Sequence, residues 1–288
     1  MMGTEIMKLV RYGSKGAEKP GLIDNAGRVR DLSGEVQNLR AEMLTPDFSA
    51  RLSRLGPETL PEVSGEPRLG APVPRPGHFI AIGLNFADHA AESGMAVPAE
   101  PVIFSKAPSC ICGPNDDVII PKGSRKLDWE VELAFVIGRR ASYVSEADAL
   151  DHVFGYMICN DVSERFWQIE GTGQWIKGKS AETFGPLGPF LLTADELGDP
   201  QDLDMWLDLN GERMQTGNTR TMVFSVRELI AYISGKMVLE PGDIVTTGTP
   251  PGVGSGKKPQ MFLKPGDVMD LGIARLGQQR QRLVAYQG

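Results

Sequence analysis

Apolar positions in this chain come mostly in short bursts with a period of two, separated by glycine, proline, asparagine and lysine, which is the signature of β-strands. Such runs predict strands at Met7–Tyr12, Leu22–Ile23, Val29–Leu32, Phe79–Gly83, Val102–Ser105, Val118–Ile120, Asp128–Ile137, Phe154–Asp161, Met205–Leu209, Val268–Ala274 and Arg282–Tyr286. Asn210-Gly211 is a hairpin turn signal after the Met205 run. Helical spacing is rarer. Val226, Leu229, Ile230 and Ile233 line one face of a predicted helix over Ser225–Ser234, Thr45 caps a shorter one reaching Leu55, and Ser163 starts another reaching Glu170. From Leu55 to Gly77 prolines and glycines replace any period, so the stretch reads as a linker with a boundary near residue 72. Residues 1–71 then form a small N-terminal domain with its linker, and 72–288 a larger, β-rich domain.

The run Asp128–Ile137 departs from ordinary strand patterning. Trp129, Val131, Leu133, Phe135 and Ile137 share an apolar face, and Glu130, Glu132, Ala134 and Val136 share the other. Two carboxylates about 7 Å apart along a strand are expensive to bury without a counter-charge. Compensation by a hard divalent cation with oxygen ligands is one reading; a solvated acidic face is the other. Asp161, closing the Phe154 strand, is either a third ligand or the cap of the helix that follows.

Other polar groups change the picture locally. Leu84–Gly94 predicts one or two helical turns ended by Gly94, on which His89 and Glu92 stand three apart and can touch. A histidine beside a carboxylate is a general base; the same pair on a surface helix is also commonplace. Gly173–Ser180 matches the letters of a phosphate-binding loop, but a helix rather than a strand precedes it, and Gly185-Pro186 and Gly188-Pro189 should break whatever follows. Lys179 keeps its interest as a cation for a developing oxyanion or enolate. Ile244–Gly254 reads as a strand entering a rigid proline-glycine loop able to carry ligand contacts.

Composition narrows the class. A net charge of −7 over 288 residues, with a pI near 5.2, disfavours nucleic-acid and anionic-membrane partners and means an anionic substrate needs a local cation. Cys110, Cys112 and Cys159 are too few and wrongly spaced for a zinc site or a disulfide framework. With no apolar segment near Met1, the expected setting is reduced and cytoplasmic.

Taken in order, Ile82-Gly83-Leu84-Asn85 with His89 and Glu92, Glu130-Val131-Glu132-Leu133, Asn160–Arg165, Gly178-Lys179-Ser180 with Phe184-Gly185-Pro186, and Thr247–Gly254 resemble the markers of the fumarylacetoacetate hydrolase family over roughly residues 77 to 284. The resemblance implies an α+β, mostly β fold: a mixed β-roll catalytic domain, commonly a homodimer, with a variable small N-terminal domain. It implies that Glu130, Glu132 and Asp161 bind Mg2+, with Mn2+ or Ca2+ able to substitute. His89 and Glu92 would be a water-activating dyad on a short lid, Lys179 would lie beside the metal, and Arg165, Gln168 and Thr249 would line the substrate pocket. Phe86 stands where the family commonly has tyrosine. The expected activity is hydrolysis of a carbon–carbon bond in a small anionic 2,4-dioxo acid, releasing pyruvate. Lys8–Gly13 and Glu18–Gly21 resemble a subgroup labelled ureidoglycolate lyase, which also resembles hydrolases of 2,4-dioxo-3-deoxy sugar acids such as the L-rhamnonate or L-fuconate derivative. The rivals are a ureidoglycolate lyase and a decarboxylase or isomerase on the same core; a catalytically silent metal-dependent binding protein is the reading from another class.

Overall fold

The computed structural model describes residues 7–88 and 96–287. Its centre is the strand pair β10 (Val131–Ile137) and β11 (Val153–Asn160), antiparallel from Val131 opposite Asn160 to Ile137 opposite Val153. Every residue of both strands is buried, as expected where a sheet is covered on both faces. On one side β10 pairs with β16 (Ile244–Thr246), which runs parallel to β5 (Phe79–Gly83); β6 (Val102–Ser105) closes that edge. On the other, β11 pairs with β13 (Gly185–Thr193), and β13 with β1 (Lys8–Tyr12), which carries β2 (Lys19–Ile23) and β3 (Val29–Asp31). The N-terminal strands therefore extend the sheet that holds the acidic strand.

A second sheet has five strands in the order β15 (Glu212–Asn218), β14 (Asp204–Leu209), β17 (Val268–Ile273), β18 (Gly277–Ala285) and β8 (Val118–Ile120). Its hairpin turns at Asn210 and Gly211, with φ of 53° and 82°, as a two-residue turn of the primed type requires. Buried glutamine side chains stitch the two sheets. Gln215 accepts from the Val131 N–H, Gln279 donates to the carbonyls of Ile158 and Gly188, and Gln281 accepts from Asn160. The arrangement is the mostly β, mixed-sheet α+β fold expected of the chain.

The helix Val226–Ser234 buries Val226, Leu229, Ile230 and Ile233, and Ser225 and Glu228 form a reciprocal capping box at its start. Thr45 caps a helix that stops at Leu52 rather than reaching Leu55. Several expectations need correcting. The acidic run is not one strand: Leu127–Asp128 pairs with Ser163–Glu164 in a separate ribbon, and the chain breaks at Trp129-Glu130 before β10 begins. Its acidic face is not solvated, since Glu130 and Glu132 are 5% and 1% exposed. Ser163 lies in that ribbon, and the following helix, Arg165–Ile169, is capped by the Glu164 carboxylate accepting from Phe166 N–H. Gly185-Pro186 and Gly188-Pro189 end no element; both lie within β13, where the second peptide is cis and the register with β11 shifts between Gly188 and Leu192. The proline-rich stretch 55–77 includes β4 (Leu69–Gly70), which pairs with β1.

Candidate metal and substrate site

Three features of the fold bring distant acids together. Glu130 lies in the break before β10, Glu132 one step inside that strand, and Asp161 just past the end of β11, where its N–H donates to the Glu130 carbonyl. One carboxylate oxygen from each lies within 4.8 Å of the other two. Glu130, Glu132 and Asp161, expected as a ligand set, thus do converge. Asp161 is not a helix cap.

Cations surround part of this cluster. Lys179, at the end of the short helix Ile176–Lys179, donates through Nζ to Glu130 Oε2 at 2.6 Å and Asp161 Oδ2 at 2.7 Å. Lys106, just past β6, donates to Asp161 Oδ1 and to the Lys179 carbonyl, both at 2.5 Å. Arg165 joins Glu130 Oε1 at 2.6 Å to Asp128 Oδ2 at 2.8 Å. Burial alone would lower the pKa of Lys106 and Arg165, but Asp161 raises the first, and Glu130 with Asp128 raises the second, so both stay charged.

Glu132 differs. Among the described residues no lysine or arginine pairs with it; Thr246 Oγ1 and the Gly248 N–H, at 3.0 Å, both donate to its Oε2. Burial, then the charges of Asp161 and Glu130, push its pKa well above the usual carboxylate range. Among the described residues the network sets four carboxyl groups, Asp128, Glu130, Glu132 and Asp161, against three cations, Lys106, Lys179 and Arg165. Glu132 is thus the carboxyl group of the four that has no ion-pair partner among the described residues. An all-oxygen donor set with an uncompensated carboxylate fits a hard divalent cation.

The loop after β16 fixes the acids through its backbone. Gly254 and Ser255 N–H groups clamp Asp128 at 2.7 and 3.0 Å, and Thr249 Oγ1 donates to the Val131 carbonyl while accepting from Gln215. Glu130 and Glu132 form one wall of a cavity of about 360 Å³ that Arg165, Gln168, Thr249 and Lys179 also line, and Asp161 is tied to that wall through Lys179. Gln168 is held by its Oε1, which accepts from Arg165 Nη1 at 3.0 Å. Arg165, Gln168 and Thr249, expected from sequence to line a substrate pocket, and Lys179 thus share this cavity with Glu130 and Glu132. His89 and Glu92 lie outside the described residues. The segment leading to them is anchored by Asn85, whose side chain donates to the carbonyls of Phe224 and Thr247, and by buried Phe86.

Sequence reasoning missed Lys106, Asp128 and the aromatic wall of Phe104 and Trp175. A lone lysine after a strand carries no spacing signal. Trp175 stood out only as too bulky for a phosphate loop.

Comparison with known proteins agrees with this geometry. The sequence profile for the fumarylacetoacetate (FAA) hydrolase C-terminal domain matches residues 78–284. The chain belongs to the fumarylacetoacetate hydrolase family. A Burkholderia orbicola protein provisionally named a hydrolase is 61% identical over 277 residues, covering 96% of this chain and 98% of its own. Among solved structures, a fumarylacetoacetate hydrolase of Exiguobacterium antarcticum superposes with a TM-score of 0.87 at 36% identity, covering 97% of this chain and all of that one. A Mycobacterium abscessus protein described as a probable 2-hydroxyhepta-2,4-diene-1,7-dioate isomerase gives 0.81 at 33%, and maleylpyruvate hydrolase of Sphingobium sp. SYK-6 gives 0.81 at 28%. These cover 98% and 97% of this chain, respectively, and all of each neighbour. This member of the family is accordingly an enzyme of a group that includes hydrolases and isomerases, with an acidic triad suited to a divalent metal. Among the described residues no helix is long and apolar enough to cross a membrane.

Proposed function

We propose that the protein hydrolyses the C3–C4 bond of a 2,4-dioxo acid, releasing pyruvate and a carboxylic acid. The observation that carries this reading is the convergence of Glu130, Glu132 and Asp161 beside the Lys179 ammonium, with Glu130, Glu132 and Lys179 lining one cavity. A divalent cation held by those three carboxylates, magnesium in our reading, would supply Lewis-acid polarisation of the substrate's carboxylate and 2-oxo oxygens.

The chain's own residues account for the rest. His89, oriented by Glu92, takes a proton from the water that adds to the C4 carbonyl. The C3–C4 bond then breaks with its electron pair left on C3, giving the enolate of pyruvate, which takes up a proton; C4 departs as the carboxylic acid. Two of the three Lys179 N–H donors are engaged by Glu130 and Asp161, leaving one for an oxygen that gains charge in this step. Gln168 and Arg165 orient the anionic head, and Thr249 shapes the wall beside it.

Retention of both His89 and Glu92 favours hydrolysis over ureidoglycolate lysis, because an elimination needs no activated water. The sugar-acid tail implied by the N-terminal resemblance enters the assay as one candidate. With magnesium, a panel of 2,4-dioxo acids should yield pyruvate, chelator should abolish it, and His89→Ala should lose about two to four orders of magnitude in kcat. Glyoxylate and urea from ureidoglycolate, without pyruvate from any dioxo acid, would overturn the reading. A His89→Ala variant working at the parent rate would remove the dyad from it.

A further inference from the structure

The cavity has two chemically different parts. Glu130, Glu132, Arg165, Gln168 and Lys179 gather at the polar part and suit an anionic head. Much of the remaining lining among the described residues is apolar: Ile82, Leu84, Phe104, Ile169 and Trp175, with Thr249, Ser255 and Gln260 as polar exceptions. Trp175 dominates this part by size. Its ring meets Phe104 edge-on, centroids 5.2 Å apart and planes at 63°. Lys179 Nζ lies 5.2 Å from the centroid of Phe104, so the aromatic pair directly adjoins the polar part. A missing side chain makes room for the indole: a Cβ on Gly83 would sit 2.4 Å from Trp175 Cζ3. Beside it Ile169 is 57% exposed, an apolar side chain left at the cavity with nothing over it among the described residues.

We infer that Trp175, seated against Gly83 and braced by Phe104, is the platform for the acyl substituent at C4, and that the substrate's tail is therefore flat and apolar rather than polyhydroxylated. The inference rests on the dioxo-acid reading for the head and adds the class of the tail. An unsaturated or aromatic acyl group can lie against the indole and the neighbouring aliphatic side chains, gaining dispersion contact and losing no hydrogen bonds. A hydroxylated chain laid there would give up its hydration to a wall with few donors or acceptors. The tail of the sugar acid suggested by the N-terminal resemblance is disfavoured on that ground.

The test compares three acids that share a head and differ in tail: benzoylpyruvate, acetylpyruvate and 2,4-dioxo-3-deoxy-L-rhamnonate. Calorimetric binding to the full chain with magnesium, and pyruvate release, are read separately. Wild type should bind benzoylpyruvate at least tenfold tighter than the deoxy sugar acid. In Trp175→Ala the benzoyl-to-acetyl affinity ratio should fall at least tenfold. Gly83→Ala, which crowds the indole without removing it, should lower the same ratio. A preference for the sugar acid, or a ratio unmoved in both variants, would overturn the inference whatever the turnover. The expected binding order without pyruvate from any acid would instead refute the hydrolytic reading and leave the tail assignment standing.

Discussion

Burying an ammonium group costs several kcal/mol unless it is paired, and Lys106 is 1% exposed with Asp161 as its anionic partner. Its hold on Oδ1, with Lys179 on Oδ2, fixes the plane of the Asp161 carboxylate and with it the direction from which a cation can be met. Lys106→Met should cost about 3 to 5 kcal/mol of unfolding free energy in the presence of chelator, the usual loss when a buried pair is broken from one side. Saturating magnesium should reduce that loss, since the ion would replace the charge that Lys106 supplied to Asp161 alongside Lys179. Urea unfolding under the two conditions measures both numbers. Equal losses would mean that Asp161 is not a ligand. Nothing in the sequence couples residue 106 to residue 161. The pairing arises because β6 and the end of β11 meet across intervening strands, and only the assembled sheet shows it.

At the scale of elements, the loop from Thr246 to Ser255 does what a catalytic side chain is commonly credited with. It holds Glu132 through Thr246 and Gly248, supports Val131 through Thr249 and clamps Asp128 with two backbone N–H groups. Its path depends on Gly252, at φ +108°, where a Cβ would lie 1.9 Å from the Met214 carbonyl oxygen. Gly252→Ala should therefore destabilise the fold by at least about 2 kcal/mol and weaken magnesium binding with it, read by thermal melting and calorimetry. An alanine variant that melts and binds like the parent would show that the loop is not the support described. The strand pattern foretold β10 correctly, because consecutive burial on both faces leaves an apolar run. It misjudged Asp128 and Glu130, because the break at Trp129 is imposed by pairing with Ser163–Glu164 and by the Trp129 indole N–H donating to the Gly252 carbonyl. Backbone clamps of this kind leave no mark on side-chain periodicity.

Over the whole molecule, a chain of net charge −7 places two of its cations, Lys179 and Arg165, in the lining of one cavity beside Glu130 and Glu132, and among the described residues leaves Glu132 without an ion-pair partner. The family and the acid triad were legible because several short motifs in fixed order are far more specific than any one of them. The extension of the catalytic sheet by β1 was not, because strand partners are chosen by edges that come together only on folding, here β1 against β13. The central claim is that Glu130, Glu132 and Asp161 jointly hold one divalent ion. Calorimetric titration of magnesium into the parent chain and Glu132→Gln tests it most directly, because among the described residues Glu132 is the triad member without a lysine or arginine partner and its loss leaves the ion pairs of Glu130 and Asp161 in place. The account predicts one ion per parent chain and an affinity lower by about a hundredfold or more in the variant; no binding by the parent, or equal binding by both, would contradict it.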